Sequence, residues 1–105
     1  MARTGFAFTG AQTNADVVAA TAGKAIRILR LGFSTSAAAT ISFTDGADAD
    51  GTRVVYGTFP VGYVNIGPGG GVPEPYPVGT LTVGNALKVT SSAGNIAGSI
   101  EYVLV

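Results

Sequence analysis

The sequence predicts an all-β domain, a sandwich or barrel of about eight short strands. Three observations predict it. Residue usage favours strand and turn: Val, Ile and Thr are abundant and Gly occurs 16 times, against two Lys, two Glu and one Met. β-branched side chains suit a pleated surface, and Gly supplies turns of positive φ. Apolar and polar residues alternate with period two in several segments, the signature of half-buried strands. Turn dipeptides then punctuate the chain at regular intervals: Ala22-Gly23, Asp45-Gly46, Asp50-Gly51, Gly84-Asn85 and Gly94-Asn95.

Taken in order, residues 4–9 set Phe6 and Phe8 against Gly5 and Ala7. Residues 14–25 are Ala-rich behind capping residues, so a short helix competes there. The β-branched Val17, Val18 and Thr21, with Gly23 as a breaker, favour a strand over 16–21. Residues 24–33 form the next strand. Residues 39–44 place Ala39, Ile41 and Phe43 against Thr40, Ser42 and Thr44. Strands are expected over 53–59 and 63–66, and residues 86–91 set Leu87 and Val89 against Lys88 and Thr90. The closing strand, 96–105, carries Ile96, Gly98, Ile100, Tyr102 and Leu104 on one face and Ala97, Ser99, Glu101, Val103 and Val105 on the other.

A chain of 105 residues makes one domain, spanning 1–105, with 1–9 as an N-terminal arm or first strand and 67–79 as a loop. Six basic residues balance six acidic ones, and charged residues are 11% of the chain; a typical share is about 25%. So few cations argue against nucleic-acid binding, which needs clustered Lys and Arg. A neutral surface also favours association. No apolar run reaches the roughly 20 residues of a membrane-spanning helix, so no membrane partner is expected. Residues 1–5 lack the apolar core of a signal peptide, which leads to an expectation of synthesis in a cytoplasm-like space.

Two segments point to assembly. Residues 24–33 are apolar on both faces, with Ile26 and Ile28 on one and Leu29, Leu31 and Phe33 on the other. Either a β-bulge near Leu29 flips the register, or Leu29, Leu31 and Phe33 form a subunit interface. All five prolines fall between Pro60 and Pro77, and residues 67–79 form an irregular loop carrying Val72, Tyr76 and Val78. Pre-ordered Pro-rich segments dock at little entropic cost. The competing account is a solvated loop whose prolines stop edge pairing.

No catalytic constellation is present in the sequence. Cys and His are absent, and no Lys stands at the Ser-x-x-Lys spacing that would activate a serine. Glu74 and Glu101 are unpaired locally. No cofactor is expected, because the run from Gly67 to Gly71 lacks the Lys-Ser/Thr and helix start of a phosphate loop. Asp45, Asp48 and Asp50 alternate on a Gly-rich turn and are the weak candidates for a Ca²⁺ site. No Glu follows to complete such a loop, and the alternative is a polar turn that satisfies its own backbone. Tyr56, Tyr63 and Tyr76 are the only set that would make a sugar-stacking platform.

The run from Val18 to Leu29 (VAATAGKAIRIL), then Ala38-Ala39-Thr40-Ile41-Ser42-Phe43, resembles a group of small phage and prophage structural proteins. The C-terminal half agrees: Gly84-Asn85-Ala86-Leu87 leads through a Ser/Ala turn to a closing strand with Gly98, Tyr102, Val103 and Val105. The resemblance covers most of residues 14–105 and is carried by strand and turn patterns. It implies an antiparallel β-sandwich of jelly-roll type. It also implies a homo-oligomer, often a trimer, in the virion and assembled in the host cytoplasm. The role it implies is a capsid decoration (cement) protein that binds the major capsid protein or another virion protein and stabilises the head. The alternative is a receptor- or carbohydrate-binding module of a tail or fibre. Arg3, Phe6, Val72, Tyr76 and Val78 are the expected particle contacts. The chain departs from the group in its turn at 45–50 and its loop at 67–79.

Overall fold

The computed structural model describes residues 2–66 and 79–105. Among them lie nine strands: β1 (Ala2–Phe8), β2 (Gln12–Val18), β3 (Ile26–Thr35), β4 (Ala39–Asp45), β5 (Arg53–Phe59), β6 (Gly62–Ile66), β7 (Gly79–Thr80), β8 (Leu87–Ser91) and β9 (Ile96–Leu104). A single 3₁₀ turn, Asp50–Thr52, precedes β5. The strands form two antiparallel sheets packed as a sandwich. The front sheet runs β1-β9-β3-β6, with β7 also on the β3 edge; the back sheet runs β2-β8-β4-β5.

The pairings are nested. β1 pairs with β9, β2 with β8, β3 with β6 and β7, and β4 with β5. They trace one long hairpin whose tip is the β4–β5 connection. Folding that hairpin over itself brings β9 beside β3 and β8 beside β4, completing the two sheets.

The core lies between the sheets. Phe33, Phe43, Ile26, Ile28, Leu31, Ile41, Leu87, Ile96, Ile100 and Val89 are all less than 2% exposed or nearly so. Phe33 meets Phe43 and Phe59 with ring centroids 5.2 Å apart in each pair, the second edge-on. Phe6 meets Phe43 at 6.0 Å. Alternation in β4 and β9 follows the sequence pattern, because each of these inner strands has one face on the core.

Strand β3 resolves the apolar-on-both-faces problem. Its register against β9 shifts between Ile28 and Arg30, leaving Leu29 as the extra residue of a bulge. Ile26 and Ile28 face the core before the bulge, and Leu31 and Phe33 face the same core after it. Leu29 is 8% exposed, and Leu31 and Phe33 are 0% exposed within the single chain. The assignment of these three residues to a subunit interface is therefore corrected. A register flip, and not a neighbouring subunit, accounts for them.

The segment at 14–25 contains no helix. β2 starts and ends earlier than the pattern suggested, at Gln12 and Val18. Two register shifts against β8 and a positive φ at Asn14 (50°) break its side-chain periodicity. The first strand is not a loose arm. All seven of its residues pair with β9 without a shift, from Ala2 opposite Tyr102 to Phe8 opposite Ile96.

Candidate interaction surfaces

The front sheet's outer face carries an ion-pair row. Glu101 of β9 stands directly opposite Arg3 of β1 on one side and Arg30 of β3 on the other. Strand alternation points Glu101 away from the core, yet it is 1% exposed. Arg30 Nε donates to Glu101 Oε2. Arg30 Nη2 donates to Ser99 Oγ at 2.9 Å, and Nη1 donates to Asn65 Oδ1 at 3.0 Å. Glu101 Oε1 is buried without a well-formed hydrogen bond, and Arg3 Nη2 lies 3.3 Å from it. The Arg30 hydrogen bond outweighs burial and, with Arg3, holds the Glu101 carboxyl below its ordinary value. The same contact raises Arg30.

Beyond this row the face is built of small residues. Gly5, Ser99, Gly32 and Asn65 lie side by side across β1, β9, β3 and β6, and Ala7, Ala97, Ser34 and Tyr63 form the next row. Tyr63 is 63% exposed. Its phenol lies over Gly32, where a Cβ would come within 2.2 Å of the hydroxyl.

The back sheet's outer face is roofed by the β4–β5 connection. Asp48 Oδ1 accepts from Ser42 Oγ at 3.2 Å and from Arg53 Nε at 3.1 Å. The Asp48 amide donates to Asn14 Oδ1 on β2 at 2.8 Å. Thr44 Oγ1 donates to the Gly46 carbonyl at 2.7 Å. Ser42 and Thr44 are consequently buried although they point outward. Lys88 pairs with Asp16 at 2.6 Å, and the Arg53 guanidinium sits 4.2 Å from the Tyr56 ring centroid.

Asp45 and Asp48 turn to different partners, and the Asp50 side chain lies outside the described residues. Asp45 accepts from the Thr82 amide and hydroxyl at 3.0 and 2.7 Å and from Asn85 Nδ2 at 2.9 Å, tying β4 to the β7–β8 loop. Burial raises its carboxyl, and these bonds overcome that and hold it below the ordinary value. Asp48 turns instead to Ser42 and Arg53. Among the described residues, no group of three metal-ligating side chains gathers anywhere. The bonds of Asp45 and Asp48 are those of a polar turn that reaches neighbouring strands and loops as well as its own backbone.

Of the expected particle contacts, Arg3 is exposed on the front face beside Glu101, and Phe6 is partly buried against the core. Val72, Tyr76 and Val78 lie outside the described residues. Tyr56 points outward from the back sheet and Tyr63 from the front sheet, since Ser42 and Ser34 are their strand partners. The two tyrosines are on opposite sides of the sandwich and form no common platform.

Sequence reasoning missed Arg30, Asn65, Asn14 and Asn95. Asn95 clasps one end of the sandwich: its Oδ1 accepts from the Gly10 amide at 2.9 Å, and its amide donates to Ser36 Oγ at 2.8 Å. One side chain and its backbone thus join three loops. Asn95 follows Gly94 in a turn, and that was its only signal. Among the described residues there is no pocket. The chain matches no protein-family model, no curated protein and no solved structure.

Proposed function

We propose that the chain is a structural protein of a phage particle, a capsid decoration module of jelly-roll type that docks on the head and stabilises it. The observation that carries the reading is the nested strand pairing. Eight-stranded jelly rolls are hairpins wrapped into two sheets, a connectivity that recurs in capsid proteins. The order β1-β9-β3-β6 in one sheet and β2-β8-β4-β5 in the other, with β7 counted with β6, supports this reading. The sequence resemblance adds support, because its two motif blocks fall on β3–β4 and β8–β9, which pair with one another across both sheets.

Decoration gains affinity from many equivalent sites acting together. It requires a folded platform with a projecting contact. The ends of the β6–β7 connection flank one site: Ile66 stands opposite Leu31 and Gly79 opposite Ile28. The two stems of the connection are therefore close on one sheet edge, and its Pro-rich sequence lowers the cost of docking.

The test is to add purified chain to particles lacking it, then sediment the particles. Co-sedimentation at saturating stoichiometry, lost when residues 68–77 are replaced by a short Gly-Ser linker, is the expected result. A chain that never appears with particles, in this assay or in those released by lysis, would overturn the reading.

A further inference from the structure

Among the described residues, four strand edges border the two sheets, and three are protected. An open edge presents unpaired backbone N–H and C=O groups, so sheet proteins blunt their edges with bulges, prolines, charges and short strands. β2 is irregular at two places and bears the exposed Asp16. β5 shifts register against β4 near Val54 and is followed by Pro60. The β3 edge is covered by β6, of five residues, and β7, of two. β1 is different. It is seven residues long, pairs without a shift, contains no proline, and has Arg3 as its one charge. Phe6 and Phe8 on its inner face remain only partly buried, at the open side of the sandwich.

We propose that the β1 edge is a self-association surface, at which a second copy of this chain adds its own β1 antiparallel about a two-fold axis. The partner chemistry follows from the strand. Full overlap of Ala2–Phe8 on itself centres the axis at Gly5, so that Gly5 faces Gly5, Thr4 faces Phe6, Arg3 faces Ala7 and Ala2 faces Phe8 of the second copy. Opposite residues share a face in antiparallel pairing. Phe6 and Phe8 then gain apolar and threonine neighbours, while Arg3 keeps its own Glu101 and opposes no cation. The contact is isologous and closed, because each copy uses its free edge once. The two front sheets become one continuous sheet. This inference is independent of where the chain acts.

The experiment is sedimentation velocity on the full chain from about 1 µM to about 500 µM, a range covering weak pairwise association. The wild type is expected to pass from monomer to dimer. A Cβ at Gly5 meets only the Gly98 carbonyl at 3.6 Å, ordinary contact, so Gly5→Lys and Gly5→Glu leave the monomer folded. Each alone sets like charges face to face and is expected to weaken the dimer more than about tenfold. An equimolar mixture of the two restores it. A second pair reports register without touching Gly5: Ala7→Glu tightens the dimer by facing Arg3 of the second copy, and Ala7→Lys weakens it. A wild type that stays monomeric throughout would overturn the proposal. So would assemblies, of any size, that all four substitutions leave unchanged.

Discussion

Glu101 is a surface-facing residue with the environment of a buried one. Removing a partner from a buried ion pair strands the other charge and costs about 3–5 kcal/mol, whereas an exposed pair is worth about 0–1 kcal/mol. Glu101→Ala is therefore expected to lower unfolding free energy by about 3 kcal/mol. Arg3→Ala, whose side chain is 64% exposed, is expected to cost less than about 1 kcal/mol. Urea titration of both variants checks the ordering. The carboxyl also sets an acid limit. In the unfolded chain it titrates near 4.5, and in the folded chain below that. Between the two values only the unfolded chain takes up the proton, so acid favours unfolding. The stability Glu101 contributes is complete above pH 4.5 and falls as pH drops through the lower folded value. Asp45 acts in the same direction. Glu101→Gln should flatten the stability profile below pH 4.5, and an unchanged acid limb would contradict the assignment.

Two glycines sharpen the residue scale further. A Cβ at Gly98 would meet the Gly32 carbonyl oxygen at 2.0 Å and Phe33 Cα at 2.7 Å, both backbone. A Cβ at Gly32 meets first the end of the exposed Tyr63 side chain, which can swing away. Gly98→Ala is expected to destabilise by about 2–3 kcal/mol or more, and Gly32→Ala by less than about 1 kcal/mol. Thermal unfolding of the pair measures the difference.

At the scale of elements, the instructive strand is β3. Its composition shows ten residues with too much apolar surface for one face, and two explanations fit the pattern equally. Only the pairing with β9 decides between them, since the extra residue at Leu29 is visible as a register shift and in no local property. Deleting Leu29 should remove the bulge and let β3 pair with β9 in plain alternation, with Leu31 and Phe33 still on the core, so the fold survives. Leu31→Ala also keeps the fold but leaves a cavity costing about 2–5 kcal/mol. Circular dichroism checks the fold of both variants, and urea midpoints separate them. The same logic explains what was legible. Inner strands with apolar residues on one face and mostly polar or small ones on the other, β4 and β9, announced themselves by alternation. β2 did not, because irregular pairing and the αL residue Asn14 scramble its period. β7 is two residues long and falls inside a stretch that reads as loop. Of the interaction surfaces, Glu101 could be placed on the outward side of its strand, but its two arginines come from strands distant in sequence. Asn95 and Asn14 act through loops whose proximity arises only on folding.

At the scale of the whole molecule, the nested ladder makes β1 and β9 its outermost pair and ties the N-terminal strand into the front sheet. Removing residues 2–5 is thus expected to strip part of an edge strand and the Arg3 contact, lowering the urea midpoint and not merely detaching an arm. A midpoint equal to that of the intact chain would show that the strand is dispensable. Such long-range pairing also predicts refolding in milliseconds to seconds, the range of all-β domains, in stopped-flow fluorescence of the tyrosines.

The roof that the β4–β5 connection lays over the back sheet has a consequence for how the protein breathes. β4 is flanked by β8 and β5, has the core beneath it, and has Asp48 and Gly46 bonded above it. The amides of Ile41, Ser42, Phe43 and Thr44 lie on residues buried from both sides. Deuterium should enter there only when the entire sandwich opens, so the slowest-exchanging amides of β4 become a direct gauge of global unfolding free energy.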